Sequence, residues 1–404
     1  MILGAIIVIA GLTILIISTV NRRNDGKLGI KTPAAIAGPA GIYAVYVIND
    51  PGEFEIGEVG RLLDNPAVSG IALRLRWEYL EPAEGKYDLS IINQTLAEAK
   101  QRQKNISLII VPGFYTPKWL INQLVDCEEK STRECGKAMF TVDYGAGRGD
   151  RLSLPLPWNE TYLGGWKKFL GEIAGRYNSQ SAIVSIAVAG PTSMSAEMSL
   201  PGDSPADLEK WRRILEIFYP AGDPHRESNL VIIEKWQEMI DFYEQTFSGK
   251  SIVVTRGSGL LKFGPRNPQE SKEIIINYFI KANYPRNQKA NQTSGLKACR
   301  ENEGGIEGVK QTIRQGLIGG AQFNSSVVKN PTTMGCADGL TPEQALKDVL
   351  RVYFNNTTSG SRWGGQNGEA ALKYLQLYAA DIDYANGHPE FQAILNQVSR
   401  DLTD

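Results

Sequence analysis

The stretch Ile71-Ala-Leu-Arg-Leu-Arg-Trp77, continued by Glu78-Tyr-Leu-Glu-Pro-Ala-Glu-Gly-Lys-Tyr-Asp88, begins as an apolar strand and ends in polar and aromatic side chains. An amphipathic segment then runs to Lys104, and a second apolar strand follows as Ile106-Ser-Leu-Ile-Ile-Val-Pro-Gly113. A strand, a helix and another strand in this order predict a parallel sheet with helices packed against it.

Eight segments have the composition of strands, and each is followed by a segment with the helical spacing of apolar residues. The predicted strands are residues 43–49, 70–77, 106–112, 182–189, 251–255, 293–298, 317–323 and 372–378. The predicted helices are residues 53–63, 89–104, 162–177, 230–247, 271–282, 306–315, 342–355 and 389–402. Eight such units in about 360 residues predict a single α/β domain, a (β/α)8 TIM barrel.

Three of the long predicted connections follow strands. They cover residues 116–158, 191–229 and 257–270. Connections that follow strands lie together on the carboxyl-terminal face of a barrel, where substrates bind. We therefore expect these long βα loops to form the walls of a groove, with Arg76, Trp77 and Glu78 at the tip of the second strand.

The sequence of residues 77–88 resembles the strand-2 signature of clan A glycoside hydrolases, particularly the family 42 β-galactosidase-like group. The Leu-Pro-Leu-Pro-Trp-Asn sequence of residues 154–159 and the Trp-x2-Phe-Leu sequence of residues 166–170 are similar to the same group. The resemblance is specific over residues 71–120 and 154–200 and general in layout over residues 42–400. It implies a barrel that acts on carbohydrate, with a glutamate at the end of strand 4 as general acid/base.

Glu197 is the carboxylate near the end of the fourth predicted strand, so the resemblance gives it the general acid/base role. It follows Ala196 and lies seven residues after Gly190, whereas the family has an Asn-Glu pair directly at the strand end. A glutamate that caps a helix or faces water is the structural alternative. Catalysis would require a pKa raised by burial or by a neighbouring charge.

A glycosidase also needs a second carboxylate, about 5–5.5 Å from the first in a retaining enzyme and about 6.5–9.5 Å in an inverting one. The family has a glutamate at the end of strand 7, but the best-aligned residue here is Gln322, whose amide cannot act as nucleophile. The candidate second carboxylates are Asp50, Glu78 and Asp381. The chain is therefore predicted to be a glycoside hydrolase for a β-linked oligo- or polysaccharide, with its nucleophile unidentified. The alternative is an inactive barrel that binds glycans at the cell surface.

Polar and aromatic residues at the strand ends and in the loops are candidates to bind sugar hydroxyls or to stack on a sugar ring. They are Arg76, Trp77, Tyr115, Trp158, Asn159, Gln322, Trp363, Gln376 and Tyr378. Packing within the loops is the alternative role of the aromatic members. No metal or cofactor is predicted, because the chain has two histidines, both in polar loops, and no phosphate-binding Gly-rich loop.

Residues 1–20 contain no charged side chain and, at about 1.5 Å of rise per residue, can span a hydrocarbon core of about 30 Å as a helix. We expect a transmembrane anchor there, with a signal sequence as the alternative, a linker over residues 21–41 and the barrel over residues 42–404. Four basic residues after the anchor favour a cytoplasmic barrel. Four cysteines and seven Asn-x-Ser/Thr sequons favour an extracytoplasmic barrel, which we predict.

The four cysteines all lie in predicted loops on the carboxyl-terminal face. Cys127 and Cys135 follow strand 3, whereas Cys299 and Cys336 follow the neighbouring strands 6 and 7. This layout favours the disulfides Cys127–Cys135 and Cys299–Cys336, although the sequence alone allows three connectivities. A net charge of −1 gives no basic excess that would indicate nucleic acid. The predicted partners are carbohydrate and, through residues 1–20, a membrane, and the oligomeric state is left open.

Overall fold

The computed structural model describes residues 38–403, except 146, 227, 262–267, 283–284, 286–287, 301–303 and 355–371. The strands of this part are β1 (Gly41–Val47), β2 (Val68–Arg76), β3 (Asn105–Val111), β4 (Val125–Asp126), β5 (Cys135–Thr141), β6 (Arg151–Pro155), β7 (Ile183–Ala187), β8 (Glu197–Ser199), β9 (Ser251–Gly259), β10 (Lys289–Leu296), β11 (Ile318–Phe323) and β12 (Tyr374–Tyr378). The α-helices are α1 (Ile56–Asp64), α2 (Trp77–Leu80), α3 (Ser90–Gln101), α4 (Lys118–Ile121), α5 (Glu160–Tyr177), α6 (Pro205–Phe218), α7 (Leu230–Thr246), α8 (Pro268–Lys281), α9 (Gly304–Ile313), α10 (Pro331–Gly335), α11 (Pro342–Phe354), α12 (Ala379–Gly387) and α13 (Pro389–Thr403).

Eight of these strands form one closed parallel barrel in the order β1, β2, β3, β7, β9, β10, β11 and β12. Each strand pairs in parallel with the next, and β12 closes the ring by pairing with β1, where Tyr374 lies opposite Gly41. At least one helix follows every barrel strand in the chain. The predicted single (β/α)8 barrel is therefore confirmed.

The sixth barrel strand differs from its prediction, because β10 begins at Lys289 rather than at Thr293. Its first half is polar, yet it is buried. The Lys289 ammonium donates hydrogen bonds to the carbonyls of Phe279 and Ala282, at 2.8 and 2.5 Å, near the end of α8. Buried polar groups are tolerated where they find such partners, so composition alone did not indicate this half of the strand.

The loop after β3 contains a small sheet of its own, β4-β5-β6, which the sequence analysis did not predict. Phe140 of this sheet stacks on Trp211 of α6 with ring centroids 4.3 Å apart, and Trp158 packs against the same indole at 6.1 Å. Because α6 belongs to the loop after β7, the two long loops share one apolar core. They form a packed wall at the carboxyl-terminal end of the barrel.

Both predicted disulfides are present. The Cα atoms of Cys127 and Cys135 lie 4.9 Å apart, and those of Cys299 and Cys336 lie 5.5 Å apart. Both separations fall within the usual range of roughly 4.4–6.8 Å. The second disulfide joins the loop after β10 to the loop after β11, as the order of the strands indicated. The part of the chain described here contains no free cysteine.

No helix among the described residues is long and apolar enough to cross a membrane. The predicted anchor at residues 1–20 lies outside the described residues, as does most of the linker. The transmembrane helix therefore stays a prediction.

Candidate active site

A cavity of about 1010 Å³ opens at the carboxyl-terminal end of the barrel. A volume of this order suits a small-molecule or sugar ligand, since such pockets commonly measure about 300–1,000 Å³. All eight barrel strands, or the loops directly after them, contribute to its lining. The charged residues that line it are Arg74, Glu197, Asp203, Arg256, Lys272 and Lys297.

Glu197 lies in the barrel wall although it is distant in sequence from the end of β7. Ala187, the last residue of β7, pairs with Val253 of β9, and Glu197, the first residue of β8, pairs with Thr255. The chain therefore leaves the wall after β7, returns at Glu197, and continues the same ladder along β9. Glu197 therefore takes the position at the end of the fourth barrel strand.

Residues 190–196, which form this excursion, are all buried. The hydroxyl oxygen of Thr192 lies 2.7 Å from the carbonyl oxygens of both Ser195 and Glu197. The backbone N–H of Ser193 donates to the Ser199 carbonyl at 2.9 Å. A buried irregular segment is stable only when its backbone polar groups find such partners.

Two neighbouring strands also hold the excursion. The Phe114 N–H, just after β3, donates to the Ser193 carbonyl at 2.7 Å, and the Arg74 guanidinium of β2 donates to the Met194 carbonyl at 2.5 Å. Gly113 has a φ of +72°, and a Cβ at this position would overlap the Ser193 carbonyl. Glycine is therefore required here both for its backbone conformation and for its lack of a side chain.

The environment of Glu197 favours the protonated carboxyl. Burial raises its pKa from the ordinary 4.5, while the positive charge of Arg74, the Ser294 hydroxyl and the positive charge of Lys272 act in the opposite direction. A general acid has to hold its proton until the leaving group departs, so a raised pKa suits that role. The position and the electrostatics of Glu197 are thus both compatible with the role predicted from sequence.

Four of the predicted site residues line the cavity together: Glu197, Tyr115, Gln322 and Tyr378. Gln322 donates to the Tyr378 hydroxyl at 3.4 Å, so the ends of the seventh and eighth barrel strands present an amide and a phenol. Burial also raises the pKa of the Tyr378 hydroxyl.

The three candidate second carboxylates do not line the cavity. Asp50 is exposed and accepts a hydrogen bond from the Gly52 N–H at 2.8 Å, which caps a short turn. Glu78 lies 3.6 Å from the Arg76 guanidinium in an ion pair. Asp381 is fully buried, accepts from the Ser326 hydroxyl at 2.6 Å, and has a pKa raised by burial to about 6. Within the described residues, the carboxylates that do line the cavity are those of Glu197 and Asp203.

Two of the predicted sugar-stacking indoles are packed in cores instead. Trp77 is fully buried, with its ring centroid 5.0 Å from that of Trp166, and its indole N–H donates to Glu81 at 2.9 Å. Trp158 is buried against Trp211 and Phe218. The physical reason is the size of indole, which contributes most when it fills an apolar core.

Three further candidates do not line this cavity and contact other parts of the protein instead. Asn159 caps the start of α5 by accepting the Tyr162 N–H at 2.9 Å. Gln376 is buried inside the barrel, where it accepts from the Gln292 amide at 3.1 Å. The Arg76 guanidinium covers the Tyr115 ring at 4.0 Å.

The last candidate for sugar binding is Trp363. It lies outside the described residues.

Sequence analysis missed Arg74, Tyr144, Arg256 and Lys272, all of which line the cavity. A signal for Arg74 was available. It alternates with Arg76 on β2, so both side chains share a face of the strand. Arg74 is the charge in the interior of an otherwise apolar strand, whereas Arg76 stands at its tip. Arg256 lies within β9, Tyr144 lies in a loop and Lys272 lies on α8, and none of the three has a recognisable spacing.

No protein-family model and no curated protein matches this sequence. Among solved structures, the chain is similar to the catalytic domain of a β-amylase from Paenibacillus polymyxa. The match has 13% sequence identity and a TM-score of 0.49, and it covers 90% of this chain and 100% of that domain. It identifies no family for this chain, so the resemblance to family 42 stays a prediction.

Replacing Gly113 with Ala should displace the excursion and with it Glu197. The added Cβ would overlap the Ser193 carbonyl, and the left-handed φ alone costs about 1–2 kcal/mol for a residue other than glycine. Gly85→Ala is a matched control, because Gly85 has a φ of +67° and a Cβ there meets nothing within 4 Å. In urea unfolding we expect a loss of at least about 3 kcal/mol for Gly113→Ala and about 1–2 kcal/mol for the control. Equal losses would show that the excursion does not depend on this close approach.

Proposed function

We propose that this protein is a glycoside hydrolase that acts on a β-linked oligo- or polysaccharide, with Glu197 as general acid. The observation that carries the proposal is the return of Glu197 to the end of the fourth barrel strand, where it lines a cavity of about 1010 Å³. The resemblance of residues 77–88 to the strand-2 signature of clan A supports carbohydrate as the substrate. The proton of Glu197 would pass to the glycosidic oxygen as the bond to the departing sugar breaks.

Asp203 is our candidate for the second carboxylate. It lines the same cavity and is exposed, in the segment between β8 and α6. The Asp143 carboxylate holds this segment by accepting the N–H groups of Gly202 and Asp203, at 2.8 and 3.3 Å. An exposed aspartate has water around it, so we assign it the activation of the attacking water. The chemistry would then invert the anomeric configuration.

A glycan-binding barrel without catalysis is the second candidate. It is favoured by Gln322, which lies at the end of the seventh barrel strand, where clan A enzymes have their nucleophile. Tyr378, at the end of the eighth strand, also lines the cavity. Amide and phenol groups bind sugar hydroxyls well, but an amide cannot form a glycosyl intermediate.

Glu197→Gln should abolish the hydrolysis of a panel of aryl β-glycosides and β-linked oligosaccharides. Removal of a general acid commonly lowers the rate by about 10²–10⁴-fold, and Asp203→Asn should lower it as well. Glu84→Gln, at an exposed position, is the control that should keep wild-type activity. Unchanged turnover by Glu197→Gln would remove Glu197 from the mechanism. Glycan binding by the wild type without any product release would favour the second candidate.

The pH profile of kcat/KM tests the protonation state of Glu197. The reactive form is protonated, so the rate should fall as the pH rises through the pKa of Glu197, which burial places above 4.5. Lys272→Met removes a positive charge that lowers this pKa, so the alkaline limb should move to higher pH. Lys86→Met, at an exposed position, should leave the profile unchanged. A limb that stays in place or moves to lower pH in Lys272→Met would contradict the assignment.

We also propose that residues 1–20 anchor the barrel to a membrane with the barrel on the extracytoplasmic side. The two disulfides support this side, because such bonds form and persist in oxidising compartments. In protein taken from its native membrane, alkylation before reduction should leave all four cysteines unmodified, and alkylation after reduction should modify all four. Mass spectrometry that finds free thiols before reduction would favour a cytoplasmic barrel instead.

A further inference from the structure

The cavity that contains Glu197 has a strongly basic lining. Four cationic side chains line it, together with the two carboxylates already described. These cations are Arg74, Arg256, Lys272 and Lys297. A positive charge in the lining can attract a ligand only if the protein does not already neutralise it with an ion pair.

The charge of Arg256 is neutralised within the protein. Its guanidinium is buried and forms an ion pair with Glu273, through contacts of 2.5 and 3.3 Å. Its Nε donates to Asn291 at 3.1 Å. Arg256 therefore supports the wall of the cavity and leaves little charge for a ligand.

Arg74 and Lys272, unlike Arg256, form hydrogen bonds with backbone carbonyl groups. Arg74 donates to the Met194 carbonyl at 2.5 Å, and Lys272 donates to the Gly257 carbonyl at 2.9 Å. In the part of the chain that the structure describes, neither side chain forms an ion pair within 4.0 Å. A carbonyl dipole accepts a hydrogen bond but does not cancel a unit charge. Burial lowers the pKa of Lys272, as expected for an ammonium with incomplete compensation.

Glu197 cannot supply the missing negative charge in the reactive state. If it acts as general acid, its carboxyl is protonated when the ligand is bound. A neutral sugar would then desolvate two cations, with Asp203 as the one remaining carboxylate among the described lining residues, which is costly. A sugar with its own carboxylate would provide a counter-ion. Arginine suits this task because its planar fork carries five N–H donors and matches a carboxylate with two parallel hydrogen bonds.

We propose that the sugar bound beside Glu197 is an acidic one, whose carboxylate is held by Arg74 and Lys272. The inference rests on the proposed function for the presence of a sugar in this cavity. It adds the substrate class: a glycan that contains uronic acid or another carboxylated sugar. The resemblance to the β-galactosidase-like group does not imply such a substrate.

Binding to a glycan array tests the proposal separately from hydrolysis. The probes are uronic-acid oligosaccharides, printed beside their carboxyl-reduced neutral forms and beside O-sulfated neutral forms. The purified full-length chain is applied as the wild type and as Glu197→Gln, which retains the shape of the side chain and prevents turnover. We expect uronic-acid glycans to bind at least about 10-fold more tightly than their reduced forms, the range for one charge-assisted hydrogen bond. Glu197→Gln should bind them at least as tightly as the wild type, because its amide is neutral, as the protonated carboxyl is in the reactive state.

Variants identify the side chains that hold the carboxylate. Arg74→Met and Lys272→Met should each weaken binding of the uronic-acid glycans about 10-fold or more and change binding of the reduced forms by less than about 3-fold. Arg400→Met, on the exposed side of α13, should leave both unchanged. Lys272→Met is a second test in case Arg74→Met misfolds, because Lys272 donates its hydrogen bond to Gly257 of β9, whereas Arg74 donates to the excursion.

Three results would overturn the proposal: preference for the reduced forms, preference for the sulfated forms, or equal weakening of charged and neutral glycans in both variants. Hydrolysis is scored separately on the same glycans with the wild type. Binding of uronic-acid glycans without hydrolysis would leave this inference standing and defeat the proposed catalysis. Hydrolysis restricted to neutral glycans would support the proposed catalysis and defeat this inference.

Discussion

The place of Glu197 depends on the hydrogen bonding of a buried segment that belongs to neither a helix nor a strand. Residues 190–196 leave the barrel wall and return to it, and buried irregular backbone of this kind is costly unless its N–H and C=O groups are paired. Ser199 supplies one partner from β8, Phe114 supplies another from just after β3, and Arg74 supplies a third from β2. The candidate acid is thus positioned by neighbouring strands as much as by its own.

Sequence reasoning predicted the barrel because its strands are apolar runs separated by helices with regular spacing. It failed for segments that are polar in sequence but buried in the structure. The start of β10, at Lys289, is buried through hydrogen bonds that become visible only when α8 is in place. The small sheet β4-β5-β6 was missed because it packs on α6, which is distant in sequence. Local periodicity carries no information about either contact.

The candidate site was predicted in part. Glu197, Gln322 and Tyr378 were found because they lie at or after the ends of predicted strands, and strand ends meet at one face of a barrel. The motif that suggested the family contributes mainly structure: Glu81 is buried and accepts hydrogen bonds from the Trp77 indole and the Gly85 N–H, both at 2.9 Å. Such a motif therefore indicates the fold more than it indicates the chemistry at the carboxyl-terminal end of the barrel.

The register of Glu197 has a consequence for the order in which the molecule assembles. Its ladder partner is Thr255 of β9, a strand that follows it in the chain by more than fifty residues. Chains fold as they are synthesised, from the amino terminus onward. A nascent chain that ends before Ser251 already contains Glu197, but β9, the strand with which Glu197 pairs, has not yet been synthesised. The site therefore matures only when the second half of the barrel closes, and fragments of the first half should be inert.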